Sequence, residues 1–216
     1  MAIKAVIFDM DGLLLDTETL GIKACAYAGQ QQGVSIDVPV VLTTLGQTET
    51  LSNAIYLRHY PTLDMRRFWA DFDVWMRHST DQTPPKLMPY ALQTLKALKE
   101  QGIKIGLCSS SPYKRIMHYL TAIGIGDFFE TIVCGNDGAR SKPAPDMYLL
   151  ASSKLGIKPE HCMALEDSEN GLRAAHAAGM LACMVPDQIP YKPEFAAFTD
   201  HVFHNLSEAL LYLGGS

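Results

Sequence analysis

The sequence predicts an α/β fold: a parallel β-sheet with helices on both faces, interrupted early in the chain by an all-helical insertion. Three observations lead there. The chain opens on a short apolar run, IKAVIF at 3–8, that stops abruptly at Asp9-Met10-Asp11-Gly12. From about residue 89 onward, β-rich apolar runs alternate with helix-like segments, the pattern of repeated βαβ units. Between them, residues 17–80 carry few strand signals and several helical ones.

Taken in order, the run at 3–8 has no polar alternation in AVIF, which suits a parallel strand buried on both faces. Thr17 is placed to cap a helix running to about Gln32, where Gly33 stops it. TETLSNAIYLRHY (48–60) and MRRFWADFDVWMRHS (65–79) read as two more helices, with Pro61 between them. Trp69, Phe72 and Trp75 recur three apart, a spacing that packs an insertion core or lines a substrate entrance. TPPKLMP (83–89) reads as a linker or hinge back to the main domain. Beyond it come a helix over 90–102 and a strand at IKIGLCS (103–109). Ser111 and Pro112 form an N-cap and first-turn pair for a helix that ends at Gly124. A strand at TIVCG (131–135), the polar loop 136–146, a helix over 147–156, a strand at CMALED (162–167), a helix over 169–179 and a strand at LACMVP (181–186) follow. A short strand near 201–206 and a C-terminal helix complete the series.

Composition narrows the function classes. The chain has 216 residues, 48% of them hydrophobic and 19% charged, which is a globular composition. A net charge of −5 argues against a nucleic-acid partner, since a phosphate backbone needs a basic face. The five cysteines, Cys25, Cys108, Cys134, Cys162 and Cys183, have no metal-ligand spacing and sit mostly in apolar segments. They read as buried, reduced thiols of a cytoplasmic protein. The opening apolar run is too short for a signal peptide and is ended by Asp9 and Asp11, and no stretch approaches the roughly 18 apolar residues of a membrane span. No membrane partner is expected. The Asn205-Leu206-Ser207 sequon reads as chance.

The chemistry-bearing residues fall where strands end, which in an open α/β sheet is where ligands bind. Asp9 and Asp11 follow AVIF, Ser109, Ser110 and Ser111 follow KIGLC, Glu166 and Asp167 follow CMAL, and Lys142 lies in the loop after TIVCG. Four carboxylates so gathered repel one another and invite a hard cation; an oxygen-rich site suits Mg²⁺. Lys142 supplies positive charge for an anionic substrate, Ser109 a hydroxyl, and the start of the following helix its N–H groups. The set describes a phosphoryl-transfer site. Asp9 is a candidate carboxylate nucleophile and Asp11 a candidate general acid and base. Their side chains point the same way if the chain stays extended through Met10, and diverge if it bends. Gly12 lets the chain turn away. Asp-x-Asp-Gly alone is equally a polar turn after a strand; the company of Ser109, Lys142 and Glu166-Asp167 is what gives it meaning.

These four motifs in order resemble those of the haloacid-dehalogenase-like hydrolase superfamily, over essentially the whole chain: Asp9-Met10-Asp11-Gly12 the first, Ser109 the second, Lys142 in SKPAPD the third, and Glu166-Asp167 in LEDSENG the fourth. SKPAPD and LEDSENG resemble the β-phosphoglucomutase-like subgroup. The resemblance implies a Rossmann-like catalytic core over 1–15 and 87–216 and a helical cap domain over 16–86, with hinges near 14–18 and 81–88. It implies Asp9 as nucleophile and Mg²⁺ ligand, Asp11 as acid/base and as ligand through its backbone carbonyl, and Asp167 as a further ligand, with Glu166 beside the metal or ligating it. Ser109, Ser110 and Lys142 are implied to hold the phosphoryl group. Asp11 itself disfavours the dehalogenase branch.

Two departures bear on the reaction. The mutases of the subgroup carry a cap histidine and a cap arginine; counted from Asp9, those positions fall near Gly21 and Glu49 here. A glutamate repels the distal phosphate that the arginine grips. Hydrolysis of a small phosphorylated metabolite, such as a sugar phosphate, by a monomeric enzyme is therefore the favoured expectation. A sugar-phosphate mutase is the alternative, with Lys23, Arg58 and His59 as nearby replacements, and a non-catalytic binding protein a more distant one. Lys23 as a phosphonatase-type Schiff-base lysine is set against its plainer reading as a solvated helix residue. Asn170 is placed either to orient a ligand or to cap a helix; His118 and His176 are given no role.

Overall fold

Among the described residues six short strands alternate with helices, and all six pair in parallel in the order β3-β2-β1-β4-β5-β6. They are β1 (Ala5–Phe8), β2 (Lys104–Cys108), β3 (Thr131–Val133), β4 (Cys162–Glu166), β5 (Leu181–Met184) and β6 (His201–Val202). The structure, a computed structural model, describes residues 2–214. The chain divides into two compact units, one from the segments up to Leu15 and from Leu87 onward, the other from Asp16–Lys86. No helix among the described residues is long and apolar enough to cross a membrane.

In the first unit the sheet separates two apolar cores. Alternate residues of β1 feed both: Val6 and Phe8 join Ile105, Leu107, Met163 and Leu165 on one face, while Ala5 and Ile7 join Cys108 and Ala164 on the other. That double burial is why β1 is apolar throughout and lacks an alternating pattern. The first face is covered by α5 (Ala91–Glu100), α6 (Tyr113–Ile123) and α9 (Leu206–Gly214). The second is covered by α7 (Asp146–Leu155) and α8 (Glu169–Ala177).

Local chemistry trims several expected elements. The strand expected over 131–135 ends at Val133, because Cys134 turns: its carbonyl accepts from Asp137 N–H at 3.1 Å and its N–H donates to Asp137 Oδ2 at 3.3 Å. The expected helix at 90 starts one residue later, with Tyr90 left-handed at φ 65°. Thr17 precedes its helix but makes no side-chain capping bond.

The second unit is helical: α1 (Glu18–Gln30), α2 (Val38–Leu42), α3 (Glu49–His59) and α4 (Met65–Gln82). Thr48 Oγ1 caps α3 by accepting from Leu51 N–H at 3.4 Å, and Asp64 Oδ1 caps α4 by accepting from Arg67 N–H at 3.1 Å. The core gathers Cys25, Ala28, Tyr56, Leu63 and Phe68, flanked by Trp69 and Phe72, whose rings meet edge-on at 5.4 Å. Trp69 therefore packs, and its indole N–H donates to Asn53 Oδ1 at 2.6 Å.

The two passages of chain between the units run side by side. Leu15 and Leu87 form an antiparallel bridge, Met88 N–H donates to the Leu14 carbonyl at 2.9 Å, and Asp16 N–H donates to the Lys86 carbonyl at 2.9 Å.

Candidate active site

The site is built by strand register. Phe8, the last residue of β1, lies opposite Leu107 of β2 and Leu165 of β4. The next residue on each strand, Asp9, Cys108 and Glu166, therefore emerges at one edge of the sheet. β1 is where successive crossovers change direction, since β2 and β4 flank it on opposite sides; such a switch point opens a crevice beyond the strand ends. Asp9 is anchored there by its N–H, which donates to the Leu165 carbonyl at 3.0 Å.

After Asp9 the chain bends. Leu14 and Leu15 N–H groups both donate to the Met10 carbonyl at 3.0 Å, and Gly12 turns at φ 78° to donate to the Leu15 carbonyl at 2.9 Å. This tight loop, with Leu13, Leu14 and Leu15 buried in the core, presents Asp11. Asp11 Oδ2 accepts from Ser109 Oγ at 3.2 Å and from Ser111 Oγ at 3.0 Å, while Ser109 Oγ accepts from Ser111 N–H at 3.1 Å.

Here the structure corrects the reading of Ser111. It does not cap α6; Pro112 precedes that helix without a side-chain bond, and the Ser111 hydroxyl turns to Asp11 instead. One N–H at the start of α6, that of Tyr113, donates to Asn136 Oδ1 at 3.2 Å. Ser110 is exposed; its carbonyl oxygen lies 2.3 Å from where a Cβ on Gly135 would stand.

Lys142 reaches in from the loop before α7. Its ammonium, buried, donates to Asp9 Oδ1 at 2.5 Å, Glu166 Oε1 at 2.6 Å and the Cys108 carbonyl at 2.9 Å. All three N–H groups of the ammonium are thus used. Glu166 is fully buried, and Tyr148 OH donates to its Oε1 at 2.5 Å while Ser168 Oγ donates to its Oε2 at 3.1 Å. Ser168 is also the N-cap of α8, accepting from Gly171 N–H at 3.2 Å, so capping falls to it and not to Asn170. Gly171 has no room for a side chain: a Cβ there would stand 1.9 Å from Glu166 Cδ.

The electrostatics follow from two buried carboxylates, Asp9 and Glu166, sharing one ammonium. Burial foremost, with the Glu166 and Asp11 charges, raises the Asp9 carboxyl to about 7 against the pull of Lys142. Burial works against charge on Lys142, but the Asp9 and Glu166 carboxylates overcome it and hold the ammonium well above the ordinary lysine value. Burial and the neighbouring Glu166 charge raise the Tyr148 hydroxyl, so it remains a donor. Asp9, Glu166 and Asp167, all buried, each offer an oxygen within 4.8 Å of the others. An all-oxygen, anionic set with excess negative charge fits a hard divalent cation. The Asp11 carboxylate is not in that group.

Sequence reasoning missed Tyr148, Ser168, Gly171 and the Cys108 carbonyl. The signal for Tyr148 was a phenol on the buried face of α7, where a hydroxyl needs a partner. The others leave no trace short of knowing where Glu166 points.

Comparison with known proteins places this geometry in a family. A family profile described as haloacid dehalogenase-like hydrolase matches residues 6–185. Hexitol phosphatase B of Escherichia coli (strain K12) is 34% identical over 186 residues, covering 85% of this chain and 84% of the relative. Beta-phosphoglucomutase of Bacillus subtilis (strain 168) is 32% identical over 189 residues, covering 83% of this chain and 81% of the relative. The crystal structure of CbbY from Rhodobacter sphaeroides in complex with phosphate superposes with a TM-score of 0.81 at 28% identity, covering 95% of this chain and 96% of that one. The chain is a member of the haloacid dehalogenase-like hydrolase family.

Proposed function

We propose that this protein is a Mg²⁺-dependent phosphatase that hydrolyses a small phosphorylated carbohydrate through a phosphoryl group carried on Asp9. The observation that carries the reading is the Asp9 carboxylate itself. It is buried at the switch point of the sheet, bonded to the Lys142 ammonium and grouped with the Glu166 and Asp167 carboxylates. A relative named for phosphatase action on hexitols and a structural neighbour that holds phosphate support it.

In the first step an Asp9 carboxylate oxygen forms a bond to phosphorus as the ester P–O bond breaks. Asp11 gives its proton to the departing alkoxide. In the second, water attacks the phosphorus of the aspartyl phosphate and gives its proton to Asp11. The acyl P–O bond breaks, releasing inorganic phosphate and restoring both residues. Ser109 and Ser111, which hold Asp11 Oδ2, orient the acid/base. Lys142, with Ser109, Ser110 and the N–H groups before α6, receives the phosphoryl oxygens, exchanging present partners for them. Asp9 and Asp167, the Asp11 carbonyl, and Glu166 at or beside them would hold Mg²⁺, which when bound offsets the carboxylate charge and polarises the phosphoryl oxygens. The helical unit, Asp16–Lys86, is the cap in this reading, and the paired passages at Leu14–Asp16 and Lys86–Met88 are its hinges. Five buried free cysteines fit a reducing cytoplasm, and the enzyme is proposed to act as a monomer.

Incubation with Mg²⁺ and a panel of sugar, polyol and other metabolite phosphates tests the reading. Phosphate release that needs both Mg²⁺ and Asp9, with Asp9→Asn as the blank, is expected. Activity that survives Asp9→Asn overturns the mechanism.

A mutase is the second reading, favoured by the similarity to beta-phosphoglucomutase. Against it, Gly21 lies on α1 without a side chain to act, and Glu49, exposed, opens α3 with the wrong charge for a distal phosphate. Lys23, Arg58 and His59 are exposed. Isomer formation from β-glucose 1-phosphate without phosphate release would establish the mutase. A wild type as inert as Asp9→Asn towards both would point to a binding protein.

A further inference from the structure

We propose that Tyr148 is a positioning residue that aims the Lys142 ammonium at Asp9, acting through Glu166. The inference rests on the phosphoryl-transfer reading for its kinetic consequence, but not for its geometry.

Glu166 is held from several directions at once. Its Oε1 accepts from both Tyr148 OH at 2.5 Å and Lys142 Nζ at 2.6 Å, which uses both lone pairs of that oxygen. Its Oε2 accepts from Ser168 Oγ at 3.1 Å, and Ser168 is itself fixed by the Gly171 N–H at the start of α8. The Gly171 backbone closes off the carboxylate, leaving no space for even a methyl group. Every member is buried or partly buried, and Tyr148 and Glu166 are both 0% exposed. A carboxylate so clamped cannot rotate without leaving a buried donor unsatisfied.

The clamp decides where Lys142 points. An ammonium on a four-carbon stem is a mobile charge unless its donors are each engaged. Two of its acceptors are the Cys108 carbonyl and Glu166 Oε1, and with those fixed the third N–H is directed to Asp9 Oδ1. The Cys108 carbonyl is set by the sheet. Glu166 is a side chain, and it is Tyr148 that occupies the second lone pair of the oxygen Lys142 uses. The ring of Tyr148 also lies 5.2 Å from Lys142 Nζ. Replacement by phenylalanine keeps that ring and its packing in the core, and removes only the hydroxyl that fixes Glu166.

A double-mutant cycle in the Mg²⁺-containing phosphatase assay separates positioning from packing. Tyr148→Phe is expected to lower kcat about tenfold with KM within about twofold, the scale of losing a supporting hydrogen bond behind a reactive group. In the Glu166→Leu background, which removes the oxygen that both Tyr148 and Lys142 share, adding Tyr148→Phe is expected to change kcat by less than about twofold, because the route from Tyr148 to Lys142 is already cut. Ser168→Ala, which removes the other anchor of Glu166, is expected to behave in the same way and serves if Tyr148→Phe does not fold. Equal effects in both backgrounds, or an unchanged kcat in Tyr148→Phe, would overturn the proposal. A second arm needs no turnover. In the metal-free protein the Lys142 ammonium is expected to give a slowly exchanging ¹⁵N–¹H resonance, assigned by its loss in Lys142→Met. That resonance should broaden or vanish in Tyr148→Phe, and its persistence unchanged counts equally against the proposal. A wild type that hydrolyses no phosphate ester would sink the functional reading while leaving this arm to decide the role of Tyr148.

Discussion

Lys142 and Asp9, separated by 133 positions in the chain, bring an ammonium nitrogen and a carboxylate oxygen to 2.5 Å in a buried crevice. The pair is neither a surface bridge nor an isolated buried one. Glu166 shares the ammonium, Asp11 adds negative charge beside Asp9, and Asp167 brings a further carboxylate oxygen within 4.8 Å of Asp9 and Glu166. Such a cluster is a poor way to stabilise a fold and a good way to hold a charged reactant, because its attractions only partly offset the desolvation of so many groups.

The raised Asp9 group makes stability depend on pH. Its folded value of about 7 lies above the ordinary aspartate value of 3.8, so the folded state holds this proton more tightly. Its contribution is fully present below pH 3.8 and is lost as pH rises through about 7. In the presence of a chelator, the melting temperature of the wild type should fall between about pH 4.5 and 7.5 more steeply than that of Asp9→Asn. Mg²⁺ should restore the wild type at the upper end of that range and have little effect on Asp9→Asn. Parallel pH profiles for the two proteins would show that Asp9 does not titrate in this range.

Gly171→Ala forces a methyl group into the Glu166 carboxylate, 1.9 Å from Cδ. Something must move, and an overpacked site of this kind costs about 1–3 kcal/mol. The variant should fold with a lowered melting temperature and lose most phosphatase activity. Wild-type activity would mean that Glu166 can be displaced without consequence.

Ser111→Ala removes one of two hydroxyl donors to Asp11 Oδ2. The expected loss in kcat is about tenfold, the worth of one hydrogen bond, with little change in KM. Had Ser111 been a helix cap, the same substitution would instead lower stability by about 1 kcal/mol and leave kcat alone. Steady-state kinetics and a melting curve on one preparation distinguish the two.

Phe68 is fully buried in the helical unit, its ring 5.0 Å from Tyr56 and 5.2 Å from Trp69. Phe68→Ala should destabilise that unit by about 3–5 kcal/mol. Limited proteolysis is expected to cut within residues 16–86 before the rest of the chain. Cleavage elsewhere first would show that the helical unit does not depend on this ring.

All five thiols are buried, and burial pushes Cys25 up to about 11, Cys108 to about 12 and Cys162 to about 11. Few thiolates form at neutral pH, so a disulfide reagent should react with the native protein far more slowly than with the unfolded one. A fast-reacting native thiol would contradict this burial.

Much of the molecule was legible because its chemistry is written in local pattern. Unbroken apolar runs such as AVIF and CMAL mark strands covered on both faces, and a run that stops in charge marks the strand end at which a crevice opens. From those runs alone, Asp9, Asp11, Ser109, Lys142, Glu166 and Asp167 stand out as a group of phosphoryl-handling residue types, and the scarcity of strand signals from 17 to 80 marks a helical stretch. The direction in which side chains turn was not legible. Ser111 has the local preferences of a helix cap, yet Asp11, 100 positions away, takes its hydroxyl. Tyr148 looks like one more apolar member of a helix stripe until Glu166 arrives from a different strand. Local propensity is set by neighbours within a turn of the backbone, at about 1 kcal/mol or less per residue. A buried hydroxyl or carboxylate left without a partner costs about 1–3 kcal/mol. That cost outweighs local preference, and the partners that avoid it are supplied only when β1, β2 and β4 come into register.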